Sequence, residues 1–74
     1  MTPAFALAAT LAVWEGCLHT VLDELDRVPD ALAAYTVAEA RCQDLEPADV
    51  SEFDRAQVRE GLWTRAVLER GGRP

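Results

Sequence analysis

The sequence contains no lysine, isoleucine or asparagine, and all seven of its basic residues are arginine. This set of absences is typical of codon bias in a high-GC genome, and it favours a bacterial or phage origin. The chain also has one histidine, one serine and no glycine-rich phosphate-binding loop. So few candidate nucleophiles and bases leave little for an active site. The sequence therefore predicts a protein that is not an enzyme and has neither a cofactor nor a metal.

Long hydrophobic runs are missing too, since no apolar stretch approaches the ~20 residues of a transmembrane helix. The first fourteen residues are apolar but lack the basic segment that opens a signal peptide. Thirteen acids against seven arginines give a net charge of −6. This balance disfavours nucleic acid, which is bound through clustered basic residues. We expect a cytoplasmic protein that binds no membrane and no nucleic acid directly.

The chain has 74 residues, half of them apolar, which is enough for one small domain. A chain of this length buries only ~60% of the surface that its unfolded form exposes. A monomer would therefore be marginally stable, and a partner would help it. We assign residues 1–70 to a single helical domain and residues 71–74 to a flexible tail.

The strongest pattern is a heptad seam at the start of the chain. Apolar residues alternate at spacings of four and three, which strands do not produce. The seam consists of Leu7, Leu11, Trp14, Leu18, Val21, Leu25 and Val28. Thr2 can cap this first helix, Pro3 suits its first position, and Pro29 ends it because a residue before proline is pushed out of the helical region.

Two further helices follow short corners. The second helix should begin around Pro29–Asp30, with Asp30 either as its cap or as an acid of its first turn, and the tight corner there predicts an antiparallel hairpin. The second seam continues the spacing through Ala31, Tyr35, Ala38, Cys42 and Leu45, with Leu32 beside it. After the break at Pro47, Asp49 and Glu52 have capping-box spacing, with Ser51 as a competing cap. The third helix should run to about Arg70 and stop at Gly71-Gly72.

These patterns predict an all-α fold: a three-helix domain with a long helix 1, an antiparallel hairpin to helix 2, then helix 3, completed by oligomerisation. Helix 2 is long enough to cover helix 1 back to about Trp14 but not the residues that precede it. Residues 1–14 carry no charge. Either a break at Gly16 folds this segment back, or another chain covers it. The unbroken seam favours a homo-oligomer, with a dimer preferred. The predicted self-association interface is Phe5, Leu7, Leu11, Val13 and Trp14.

Helix 3 carries two apolar stripes. One contains Phe53, Ala56, Trp63 and Val67, and the other contains Val58, Leu62 and Ala66, with Arg55, Arg59 and Arg70 between them. Either both stripes close one irregular core, or one of them faces another chain. Tryptophan and arginine dominate interface hot spots, so Trp63 is the expected anchor. The predicted partner interface is Phe53, Arg55, Arg59, Trp63 and Val67.

Three polar or thiol groupings are candidates for chemistry. The hairpin places Cys17 opposite about residue 41, so Cys17 and Cys42 form a possible thiol pair. They are either disulfide-bonded or two buried reduced thiols, and a reducing cytosol favours the thiols. Glu15, His19 and Asp23 share a helix face that could hold a cation, although a solvated surface histidine is the commoner arrangement.

The acidic residues crowd the two corners. The first group is an acidic patch made of Asp23, Glu24, Asp26 and Asp30, and the second is Asp44, Glu46, Asp49, Glu52 and Asp54. Several of the first group lie near the C-terminus of helix 1, where the helix dipole disfavours negative charge. This indicates either a basic protein partner or a solvated face that keeps the chain soluble.

Three functions fit these observations. The leading one is a small non-enzymatic helical protein–protein interaction module (adaptor, regulator or assembly subunit) that self-associates through its apolar N-terminal helix. The second is an acidic inhibitor that occupies a basic nucleic-acid-binding surface. In size and charge, the chain is similar to some small phage-encoded anti-CRISPR proteins, which act in this way. The third is a thiol or metal sensor based on Cys17, Cys42 and His19.

Overall fold

The computed structural model describes residues 3–71, with side chains described from residue 10 onward. It confirms the all-α fold with three helices: α1 spans Pro3–Glu24, α2 spans Ala31–Arg41 and α3 spans Glu52–Glu69. A short 3₁₀ turn, Gln43–Leu45, lies between α2 and α3. The predicted cap Thr2 and tail residues 72–74 lie outside the described residues. Within residues 3–71, no helix has the length and apolar character needed to cross a bilayer.

The first helix is continuous through Gly16, so the alternative of a break there is wrong. A Cβ at Gly16 would meet nothing within 4 Å, which shows that no neighbour presses on the helix at this point. The helix ends at Glu24, earlier than the predicted stop at Val28. Beyond Glu24 the backbone turns, with the Val28 N–H bonded to the Leu25 carbonyl, and the carbonyls of Leu25 and Val28 also accept hydrogen bonds from the Arg70 side chain.

The second helix begins as predicted, because the carboxylate of Asp30 accepts a hydrogen bond of 3.1 Å from the Leu32 N–H. It ends at Arg41, and the chain then tightens into the 3₁₀ turn. A 3₁₀ turn has 3.0 rather than 3.6 residues per turn, which rotates the side chains that follow. Leu45 is consequently exposed and does not continue the seam, and Leu32, which was predicted beside the seam, is exposed on α2.

The third helix is capped by Ser51, whose hydroxyl accepts a 3.1 Å hydrogen bond from the Asp54 N–H. The competing cap is therefore the correct one, and the capping box built on Asp49 is wrong. At the other end Gly71 has φ 97°, the left-handed conformation that glycine adopts without strain. The predicted glycine stop is confirmed.

The core lies between the three helices, but they contribute unequally to it. The buried apolar residues are Trp14, Leu18, Val21, Leu22, Ala31, Ala34, Ala38, Cys42, Val58, Leu62 and Ala66. Leu22 and Ala34 lie beside the seams that the sequence predicts. They are buried because α1 and α2 each face two other elements, which requires a wider apolar stripe than a two-helix seam.

Candidate functional site

The two ends of α1 have different surroundings because its partner helix is half as long. α1 has 22 residues and α2 has 11, which corresponds to ~33 Å and ~16 Å at 1.5 Å per residue. Cys42, directly after α2, lies 6.0 Å from Cys17 between Cα atoms. The part of α1 before Cys17 therefore extends past the end of α2, and the molecule measures 42 × 21 × 15 Å.

Trp14 marks the point at which burial begins in the described part of α1, and it is 1% exposed. The guanidinium of Arg59 lies 5.1 Å from the centre of its ring. Trp14 thus belongs to the chain's own core, and its assignment to the self-association interface is wrong. Arg59 of α3 covers this ring, so Trp14 is buried by a helix other than α2.

The other members of the predicted self-association interface differ from Trp14. Val13 is 53% exposed, and Leu11 is half-buried against the core. The side chains of Phe5 and Leu7 lie outside the described residues. Thr10 and Ala12 are exposed as well. The exposed surface of the described N-terminal end of α1 is therefore made of small and apolar side chains without charge.

Arg59 connects α3 to α2 and to the residue that follows the 3₁₀ turn. Its Nε donates to Glu39 on α2, and its Nη2 lies 2.6 Å from Oε1 of Glu46. Arg55 shares Glu46 at 3.6 Å. Burial disfavours the charge of Arg59, but the bonds to Glu46 and Glu39 outweigh burial and raise its pKa above the usual value. Both arginines of the predicted partner interface are thus paired within the chain.

The two apolar stripes of α3 differ in how far they are buried. Val58, Leu62 and Ala66 are buried. The other stripe divides, because Trp63 and Val67 pack against the core while Phe53, at 70% exposure, and Ala56 face solvent. The predicted partner interface is therefore not one continuous surface.

Trp63 forms one wall of a shallow groove between α2 and α3. Its ring meets Tyr35 edge to face, with centroids 5.6 Å apart. The groove has a volume of about 330 Å³ and is also lined by Leu32, Arg59 and Glu60. Burial raises the pKa of Tyr35, and the nearby Glu39 raises it further.

His19 takes part in a charged network between α1 and α3. Its Nδ1 lies 2.9 Å from an Arg65 nitrogen, and Arg65 also bonds Asp23 and Glu69. The hydrogen bond to Glu69 is the main reason why the pKa of Arg65 is raised. Among the described residues, no group of three or more His, Cys, Asp or Glu side chains could hold a metal ion. The face shared with Glu15 is therefore not assembled into a cation site.

The acidic patch predicted at the first corner is divided among separate contacts. Asp23 pairs with Arg65, and Glu24 lies 3.8 Å from Arg41. Asp30 caps α2. Asp26 is exposed and forms no ion pair within residues 10–71. Nearby arginines from two other elements thus neutralise part of the patch, which the sequence alone could not show.

Unpaired acidity is concentrated at the second corner instead. We call the following residues the second-corner surface: Asp44, Asp49, Glu52, Phe53 and Asp54. All five are exposed, and the four acids form no ion pair in the described part of the chain. Glu46, from the same sequence group, is paired with Arg59 and Arg55. This corner combines negative charge with the most exposed of the large apolar side chains described, Phe53.

Arg70 has a role that sequence reasoning missed. Its side chain is 5% exposed, and it donates 2.7 Å hydrogen bonds to the carbonyls of Leu25 and Val28. It also reaches the Ala66 carbonyl at 3.2 Å. Charged donors suit the unpaired carbonyls at a helix C-terminus. The contact depends on the parallel course of α1 and α3, for which the sequence carries no local signal.

Cys17 and Cys42 are joined in a disulfide. The predicted hairpin register is correct, and the preferred alternative of two reduced thiols is wrong. The thiols lie close enough to bond because α2 packs on α1 through alanines, which allow two helix backbones to approach closely. Cys42 is fully buried, whereas Cys17 is half-buried.

No protein-family model, curated protein or solved structure matches this chain. The fold and its contacts define it as a small disulfide-bridged three-helix protein. Its functional surfaces have to be argued from their own chemistry.

Proposed function

We propose that this chain is a non-enzymatic helical protein–protein interaction module, acting as an adaptor, regulator or assembly subunit, that self-associates through the N-terminal end of α1. One observation carries this proposal. Among the described side chains of α1, Trp14 is the first that is fully buried, and it follows a helical segment, Pro3–Val13, that contains no charged residue. Such a segment is poorly suited to face water on all sides.

A second copy of the chain is the partner that fits this segment best. Two identical apolar helices can cover each other around a two-fold axis, because a two-fold interface uses the same surface twice. Burial of apolar area contributes ~25 cal/mol per Å². Leu11 and Val13 are the described residues at this surface, and Phe5 and Leu7 are assigned to it from the sequence pattern.

The molar mass in solution tests this proposal. We expect multi-angle light scattering to give a dimer mass that falls towards the monomer on dilution. Val13→Glu should shift the equilibrium to monomer, since it places a charge in the apolar contact. Thr20→Glu is the matched control, because Thr20 is exposed on α1 beside the covered part of the helix. A wild-type chain that stays monomeric up to millimolar concentration would contradict self-association.

A second function is supported by the second-corner surface. Arg41, Arg55, Arg59, Arg65 and Arg70 are all paired with acids inside the chain. The acids that stay unpaired therefore give the surface its negative charge. An acidic inhibitor of a basic, nucleic-acid-binding partner would use this charge, with Phe53 as an apolar contact.

An oligoarginine peptide is a suitable probe for that second function. Calorimetry should show binding that weakens as salt rises, because exposed charges are screened. Asp44→Asn combined with Asp49→Asn should weaken binding several-fold. Glu15→Gln combined with Asp26→Asn removes the same charge elsewhere and is the control. Equal weakening by both pairs would mean that only net charge matters, and that the second corner is not a site.

Two further sequence predictions concern the localisation of the chain and a sensor function. Cytoplasmic localisation stays a prediction, and the Cys17–Cys42 bridge counts against it because disulfides persist mainly in oxidising compartments. A metal sensor is the weakest reading, since His19 faces Arg65.

A further inference from the structure

We propose that the Cys17–Cys42 disulfide is a redox switch that controls the attachment of α2 to the rest of the domain. The proposal is independent of self-association, because it concerns contacts within one chain. It follows from what holds α2 in place, which differs from what holds α1 and α3.

The hydrophobic anchoring of α2 is weak. Its fully buried side chains are Ala31, Ala34 and Ala38, followed by Cys42 at its C-cap, and its one large core contact is the half-buried Tyr35 against Trp63. By contrast, α1 buries a tryptophan and two leucines, and α3 buries Leu62. An alanine brings a single methyl group to the core, so it gains much less than a leucine from burial. An 11-residue helix is also too short to persist alone in water.

The non-covalent contacts near the C-terminal end of α2 are mostly partly solvated. Arg41 and Glu24 are 3.8 Å apart, and both side chains are more than half exposed. Glu39 pairs with Arg59, and each of these side chains is about one-third exposed. Exposed ion pairs contribute little to stability. The disulfide is consequently the strongest attachment of this end of the helix.

Reduction of the bond needs an external thiol, and the structure indicates where it attacks. A thiolate reaches Sγ of Cys17, because Cys17 is half-buried and Cys42 is fully buried. A mixed disulfide forms on Cys17, and Cys42 leaves as a thiolate that takes up a proton. A second reductant thiol then releases Cys17. In total, two electrons and two protons move to the protein, and the dithiol reductant becomes a disulfide.

The size of the effect follows from loop closure. The bonded cysteines are 25 positions apart in the sequence. Opening a loop of this length lowers the ratio of closed to open chain by ~300-fold on entropic grounds. A change of this size converts a stably attached α2 into one that opens readily.

Hydrogen–deuterium exchange on the full chain tests the switch. The oxidised chain, the chain reduced by a dithiol, and the Cys17→Ala/Cys42→Ala variant are compared, with alkylation and mass measurement to count free thiols. We expect amide exchange within Ala31–Arg41 to accelerate by up to ~300-fold on reduction. The central turns of α3, around Leu62, serve as the internal control and should change less.

The outcomes separate clearly. Faster exchange in α2 in both the reduced chain and the alanine variant supports the switch. Equal loss of protection in α2 and in the central turns of α3 would contradict it, because the bond would then stabilise the whole domain rather than the attachment of α2. Unchanged exchange in α2 after complete reduction would overturn the proposal, as would free thiols in chain prepared without reductant.

Discussion

The two halves of α1 are equal in length and share one apolar seam, but they differ in what surrounds them. In the C-terminal half, Trp14–Glu24, the seam residues Trp14 and Leu18 are buried beneath α2 and α3. In the N-terminal half, Pro3–Val13, the described seam residue Leu11 is only half-buried, and Val13, beside the seam, is more than half exposed. Periodicity therefore predicts which face of a helix is apolar. How far along the helix that face is covered depends on the lengths of its neighbours.

The largest test of this contrast is truncation of a side chain in each half. Leu18→Ala should cost about 3 kcal/mol of unfolding free energy, because it leaves a cavity in a packed core. Val13→Ala should change stability by less than about 0.5 kcal/mol. Urea denaturation at low micromolar concentration measures both. Similar costs at the two positions would mean that a single chain covers both halves.

The next test concerns the contact that closes the C-terminal half. Arg70→Met should lower stability by about 2 kcal/mol, because it leaves the carbonyls of Leu25 and Val28 without their charged donor. Arg27→Met is the control, since Arg27 is exposed and forms no ion pair within residues 10–71. Both are measured by urea denaturation. Equal changes would show that net charge, rather than the cap, is responsible.

A smaller effect tests where α3 begins, and so how far it reaches along α1. Ser51→Ala should cost about 1 kcal/mol, since it removes the acceptor of the Asp54 N–H. Asp49→Ala should change stability by a few tenths of a kcal/mol at most. Thermal unfolding followed by circular dichroism distinguishes the two. The reverse order would restore the capping box on Asp49.

Local signals predicted a large part of the fold. Asp30 as a cap, Gly71 as a stop and the pairing of Cys17 with Cys42 all follow from short stretches of sequence and a hairpin corner. Each depends on the backbone of one helix or one turn, and the structure bears them out.

Apart from the pairing of Cys17 with Cys42, the contacts between elements distant in sequence were not predicted. The burial of Trp14 and the cap formed by Arg70 depend on the parallel course of α1 and α3. The disulfide requires that two helices approach closely, which alanine content indicates only after the register is known, and it also requires oxidising conditions, on which the sequence carries no direct signal. The partner interface and the acidic patch differ from their predictions for the same reason. Arginines that the sequence offers to a partner form ion pairs with acids of their own chain.

The smallest expected effect concerns the groove between α2 and α3, where Tyr35 packs against Trp63. Burial, foremost, raises the pKa of Tyr35, and Glu39 adds to the rise. The folded state therefore holds the phenolic proton more tightly than the unfolded chain does. The resulting stability is complete below the unfolded pKa of ~10 and is lost as the pH rises through the higher folded value.

Tyr35 is the sole tyrosine, so tyrosinate absorbance measures it directly. We expect a higher titration midpoint in buffer than in concentrated urea, and Tyr35→Phe should remove the corresponding alkaline loss of stability. Equal midpoints would show that Tyr35 is as solvated in the folded chain as in the unfolded one.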